Sequence, residues 1–89
     1  VVDDDLQVLD NLHTLLSTWG FEPTLLDNPQ RFWHTLNAFN PDLLILDAEM
    51  SLSGINGIDL CQVVRNDPYW NHLPVLFLSG RKDTQTVNQ

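Results

Sequence analysis

Three short stretches of this chain set oxygen-bearing side chains directly after apolar runs: Asp3-Asp4-Asp5 follows Val1-Val2, Asp47 follows Leu43-Leu44-Ile45-Leu46, and Ser79 follows Val75-Leu76-Phe77-Leu78. Carboxylates gathered at one place repel, and a hard, oxygen-loving cation such as Mg²⁺ relieves that repulsion while leaving open positions for phosphate oxygens. A carboxylate beside such a metal can act as a nucleophile toward phosphorus and give an aspartyl phosphate. The metal then neutralises charge developing on the transferred group. Asp47 is poorly explained as a solvated surface charge after four apolar residues, whereas Ser79 taken alone would serve equally as a turn residue. Asp5 reads as a helix cap rather than a third ligand, because an aspartate just before a helical repeat satisfies backbone N–H groups.

For these groups to meet, the apolar runs must be neighbouring parallel strands. Leu9, Leu12, Leu16 and Trp19 recur at helical spacing after the acidic cluster, with Asp5 as the N-cap and Gly20 as the C-terminal stop. Thr24-Leu25-Leu26 is a short strand candidate. Asn28-Pro29 signals a helix start, Phe32, Leu36 and Phe39 form its apolar face, and it ends before Pro41. Leu43–Leu46 is an uninterrupted apolar run, as expected of a strand covered on both faces. A loop with Ser51, Ser53, Gly54, Asn56 and Gly57 follows, then a helix from Ile58 to Arg65 that Asp67-Pro68 closes. Val75–Leu78 is a second such strand, and Asp83-Thr84 looks like another helix start. The alternation of strand and helix predicts a parallel sheet with helices on both faces. In such a sheet the chemistry lies outside the carboxyl ends of the strands, where adjacent strands only about 4.8 Å apart can bring three polar ends onto one ion.

Composition narrows the function. The chain has 89 residues with 12 Asp+Glu against 4 Lys+Arg, a net charge of −8. That balance argues against a nucleic-acid or membrane-surface role for this segment, since both need a basic footprint. The single cysteine, Cys61, excludes an intrachain disulfide framework and a thiolate zinc site, and suits a reducing cytoplasm. No apolar run approaches the roughly 18 residues that span a bilayer. Cys61 beside Leu60 and Val64 reads as a small core residue. His13, His34 and His72 have no partners at metal spacing and read as surface or rim positions. Trp19, Trp33 and Trp70 read as packing anchors near helix ends, with partial exposure open to Trp33 and Trp70. The absence of an initiator Met, the Val1-Val2 strand stub and the late Asp83-Thr84 helix start suggest an interior piece of a longer polypeptide.

Val1-Val2-Asp3-Asp4, Pro41-Asp42-Leu43-Leu44-Ile45-Leu46-Asp47 and Leu73-Pro74-Val75-Leu76-Phe77-Leu78-Ser79-Gly80 together resemble the receiver domain of two-component response regulators, along essentially the whole chain. The resemblance implies an α/β fold, a doubly wound parallel sheet of the flavodoxin-like (βα)₅ kind. The chain would cover its first four strands as one partial receiver domain, residues 1–89, with the fifth strand and last helix missing. It implies Asp47 as phosphoacceptor and Mg²⁺ as cofactor, held by Asp47, by Asp4, by Asp3 through a water and by the backbone carbonyl of Glu49. Ser79 would be the switch hydroxyl that meets the phosphoryl group. The implied partners are a sensor histidine kinase or a phosphotransfer protein, an output domain outside this chain and a second copy in a homodimer, with no direct nucleic acid and no membrane. The implied setting is cytoplasmic, and the domain is no enzyme beyond self-catalysed phosphotransfer.

The sequence departs from the family pattern in three places. Met50-Ser51 replaces the family's Met-Pro, losing the fixed φ of proline. Gly57 stands ten positions after Asp47, which reads as a two-residue insertion in the Ser51–Asn56 region. The lysine of the fifth strand has no counterpart, since Lys82 lies only three positions after Ser79. Two other readings therefore stand beside the first. Asp47-Ala48-Glu49 has the acid spacing of an aspartate-nucleophile phosphohydrolase, and a pseudo-receiver would keep the fold as an interaction module without phosphorylation.

Overall fold

The structure is a computed structural model, and it describes residues 1–48, 50 and 55–78. The first helix, α1, spans Leu6–Thr18; a 3₁₀ turn at Pro29–Arg31 leads into α2, Phe32–Phe39; strand β1 is Leu44–Asp47, helix α3 is Gly57–Asn66, and strand β2 is Val75–Leu78.

Capping chemistry sets the helix ends. The Asp5 side chain accepts from the Gln7 N–H and starts α1. At its other end the Gly20 N–H donates to the Ser17 carbonyl and the Phe21 N–H to the Leu16 carbonyl, both at 3.0 Å. This paired closure requires a left-handed residue, and Gly20 supplies φ +91°. Asn28 caps the next segment by accepting from the Gln30 N–H. The sequence expectation of a helix from Pro29 is corrected in form: the first turn is 3₁₀ and α geometry begins at Phe32. Asn40, left-handed at φ 47°, closes α2 just before Pro41.

Main-chain hydrogen bonds order the sheet. β1 and β2 pair in parallel, Leu44 with Val75 through Asp47 with Leu78. Val2 makes parallel bridges to both Leu26 and Leu46. On one side Leu26 N–H donates to the Val1 carbonyl at 2.9 Å and Asp3 N–H to the Leu26 carbonyl at 3.1 Å. On the other, Val2 N–H donates to the Ile45 carbonyl at 2.8 Å and Asp47 N–H to the Val2 carbonyl at 2.9 Å. The expected strand at Thr24–Leu26 is thus reduced to a single bridge, yet it fixes the order: Leu26, Val2, β1, β2. The chain steps to one side of Val2 and then to the other, so the crevice between Val2 and β1 is the topological switch point of a doubly wound sheet.

The core lies where pleat alternation puts it. Leu44 and Leu46 join Val2, Phe32 and Leu36 of α2, Leu60 and Val64 of α3, and Met50, Trp70 and Leu73 in one buried cluster. Ile45 and Leu9 of α1 are buried outside that cluster, as expected for the opposite face of the strand. Burying a side chain such as Leu46 or Val64 completely contributes about 1.5–3 kcal/mol. Leu76 and Phe77 of β2 are 55% and 45% exposed, whereas Leu44, Ile45 and Leu46 of β1 are buried. One expectation needs correction. Of the three tryptophans only Trp70 is a core anchor, because Trp19 and Trp33 remain 63% and 40% exposed. The expected helix at Asp83-Thr84 lies outside the described residues.

Candidate metal and phosphoacceptor site

Asp3 is the first residue after the doubly bridged Val2, and Asp47 is the last residue of β1. The ladder that joins Val2 to β1 therefore places these two acids at adjacent strand ends on the switch point. Both are almost wholly buried, at 3% and 4% exposure. Asp4 is half-buried beside them. One carboxylate oxygen from each of Asp3, Asp4 and Asp47 lies within 4.8 Å of the other two. Asp5, exposed and engaged as the α1 cap, is outside this group.

Burial pushes the Asp3 carboxyl up to about 6, and the neighbouring Asp47, which also shares a hydrogen bond with it, and Asp4 push in the same direction. The Asp5 N–H, donating to Asp3 Oδ1 at 2.9 Å, opposes part of that rise. The crowding is sustained by the fold, since Asp3 is tied to Leu26 and Asp47 to Val2 through their own N–H groups.

The main chain after Asp47 is held as firmly. Ala48 N–H donates to the Leu78 carbonyl at 2.9 Å and Gly57 N–H to the Ala48 carbonyl at 3.3 Å. Gly57 opens α3 at a place where an added Cβ would overlap the Asp47 carbonyl. The sequence marks Gly57 only as a displaced loop glycine; its contact with Asp47 depends on the angle at which α3 enters, which spacing does not encode. Met50, buried at 2%, is part of the core cluster, and the partly buried Ile55 packs against it. Glu49, Ser79, Lys82 and the Ser51–Gly54 stretch lie outside the described residues. His13, His34 and His72 are exposed, and Cys61 is half-buried against the core.

Comparison with known proteins decides the family. The family model for the response regulator receiver domain matches residues 1–89. The chain belongs to that family. Solved structures share the fold of this receiver domain: the N-terminal domain of a response regulator receiver protein from Methanoculleus marisnigri superposes with TM-score 0.81 at 29% identity, over 96% of this chain and 68% of that one. The receiver domain of a signal transduction histidine kinase from Syntrophus aciditrophicus superposes with TM-score 0.80 at 26% identity, over 97% of this chain and 64% of that one. The flavodoxin-like doubly wound fold implied by the sequence is therefore the fold of this receiver. Among curated proteins, it is 52% identical to protein RcaC of Microchaete diplosiphon and 33% identical to the DNA-binding response regulator MtrA of Mycobacterium tuberculosis. The matches cover 100% and 98% of this chain but only 13% of RcaC and 36% of MtrA. As a receiver of two-component systems it is a signalling domain. Among the described residues no helix is long and apolar enough to cross a membrane.

Proposed function

We propose that this receiver accepts a phosphoryl group on Asp47 from the phosphohistidine of a sensor histidine kinase or phosphotransfer protein and thereby switches an output region. The observation that carries the proposal is the convergence of Asp3, Asp4 and Asp47 within 4.8 Å at the switch point. In the transfer an Asp47 carboxylate oxygen bonds to phosphorus as the donor's P–N bond breaks, and the imidazole leaves with the bonding pair and takes up a proton. Asp47 is suited to this because its backbone is pinned by the Val2 carbonyl, so the carboxylate is held in place before the donor arrives.

The donor set fits Mg²⁺: hard carboxylate oxygens close together, with burial first and then the charges of Asp47 and Asp4 raising Asp3. Asp47, Asp4 and Asp3, the last through a water, would hold the ion, with the Glu49 backbone carbonyl as a further ligand. When bound, Mg²⁺ would neutralise negative charge on the transferred group. Ser79 would meet the phosphoryl oxygens through its hydroxyl. The reading goes with one partial receiver domain over residues 1–89, a cytoplasmic setting, an output domain outside these residues and a homodimer as a further association. Nucleic acid would be engaged only through that output domain, given the charge of −8 here.

The test is labelling of the natural full-length protein with a small acyl phosphate and Mg²⁺, followed by peptide mapping. Label on Asp47 that is absent in Asp47→Asn supports the reading. Label that persists in the variant moves the acceptor elsewhere. Continuous release of phosphate without stable label would indicate a phosphohydrolase, and no label with any donor would indicate a pseudo-receiver.

A further inference from the structure

We infer that Gly57 is a positioning residue that sets the spacing of the acidic site and, through it, the preference for Mg²⁺ over a larger divalent cation; the inference rests on the metal reading above. A Cβ at position 57 would overlap the Asp47 carbonyl oxygen, come within 2.9 Å of the Asp47 carbonyl carbon and within 3.2 Å of Leu46 Cβ. None of these atoms is the free end of a flexible side chain. The contact with the carbonyl carbon is about 0.5 Å short of ordinary van der Waals separation, so one of the two elements must move.

The retreat of α3 is resisted from inside and at its start. Leu60 and Val64 are embedded in the core cluster, and the Gly57 N–H at the start of the helix donates to the Ala48 carbonyl at 3.3 Å. At the strand end the overlap falls on the Asp47–Ala48 segment, which each neighbour holds by a single hydrogen bond, Asp47 N–H to the Val2 carbonyl and Ala48 N–H to the Leu78 carbonyl. Displacing that segment moves the Asp47 carboxylate relative to Asp3, which is tied separately to the Leu26 carbonyl, and to Asp4 beside it. Mg²⁺ demands near-ideal octahedral geometry at short distances, whereas Ca²⁺ accepts longer and more irregular coordination. The overlap exceeds the spread of about 0.2 Å expected of metal–ligand distances in a well-formed site. A side chain at position 57 therefore weakens Mg²⁺ more than Ca²⁺.

The experiment compares Mg²⁺ and Ca²⁺ titrations of wild type, Gly57→Ala and Val64→Ala in the full-length protein, followed by calorimetry. Val64 is fully buried on the same helix and away from the acids, so its truncation destabilises without touching the site. Gly57→Ala is expected to lose about tenfold in Mg²⁺ affinity and less than about threefold in Ca²⁺ affinity, while Val64→Ala leaves the ratio of the two unchanged. If metal-free Gly57→Ala is unfolded, the same ratio is read from the concentrations of the two ions that restore its circular dichroism. An unchanged ratio in Gly57→Ala, an equal change in Val64→Ala, or failure of both ions to restore the fold overturns the inference. Absence of Mg²⁺ binding by the wild type would instead overturn the metal reading on which it rests.

Discussion

Asp3 and Asp47 stand at adjacent strand ends, each with less than a twentieth of its surface in water, and their carboxyl groups share a hydrogen bond. Burial first, and then the neighbouring charges of Asp47 and Asp4, raise the Asp3 carboxyl to about 6.

Metal binding and stability should therefore depend on pH in opposite senses. The folded state holds the Asp3 proton more tightly than the unfolded state, whose value is 3.8, so the contribution of Asp3 to metal-free stability is full below about 3.8 and is lost as pH rises through about 6. Thermal melts of wild type and Asp3→Asn without metal should diverge across that window, with the variant the more stable above it. Mg²⁺ affinity of the wild type should fall as pH drops through about 6, because the ion competes with that proton. Parallel melting curves across the window would refute this assignment.

Asp47→Asn should melt higher than wild type in the absence of metal above pH 6, since one of three crowded negative groups is removed. Mg²⁺ at ten times its Kd should stabilise the wild type by about 1.4 kcal/mol and the variant by less than about a third of that. Differential scanning calorimetry with and without Mg²⁺ reads both effects.

Asp5 tests whether adjacency alone makes a ligand. Its side chain accepts from the Gln7 N–H at 2.9 Å, so Asp5→Ala should cost about 1 kcal/mol of stability and Asp5→Asn much less. Both variants should keep wild-type Mg²⁺ affinity within about twofold, because the carboxylate is outside the acidic group. A tenfold loss in Asp5→Asn would make it a ligand.

Leu76 and Phe77 lie exposed on β2. Residues 1–89 expressed alone should self-associate through this strand, as exposed apolar strands do. Replacing both with threonine keeps strand propensity and removes the apolar surface. Sedimentation should show a concentration-dependent mass for the wild-type segment and a monomer for the double variant; a wild-type monomer at every concentration would sink the idea.

Much of this arrangement is legible in the sequence because it rests on local chemistry. Asp5, Gly20, Asn28 and Pro41 mark helix ends through hydrogen bonds and φ preferences that reach only a few residues. The run Leu43–Leu46 shows its burial by lacking any polar alternation, and Asp47 is conspicuous by ending it. Other features depend on distant parts of the chain. Trp19 falls on the helical repeat of α1 yet is exposed, because periodicity identifies a stripe and not how far the covering surface extends. The contact of Gly57 with Asp47 is fixed by how α3 approaches the sheet, which no local pattern records.

Trp70 is 5% exposed, its indole N–H donates to the Asn37 side chain at 3.3 Å, and the Tyr69 ring meets it edge-on at 4.8 Å. The other two indoles face solvent. A water-borne collisional quencher will extinguish their emission and spare that of Trp70, leaving one optical signal from the junction between α2 and the turn before β2. Because that junction precedes β2 while the acids follow β1, the surviving light reports on the packing of the domain independently of events at its charged rim.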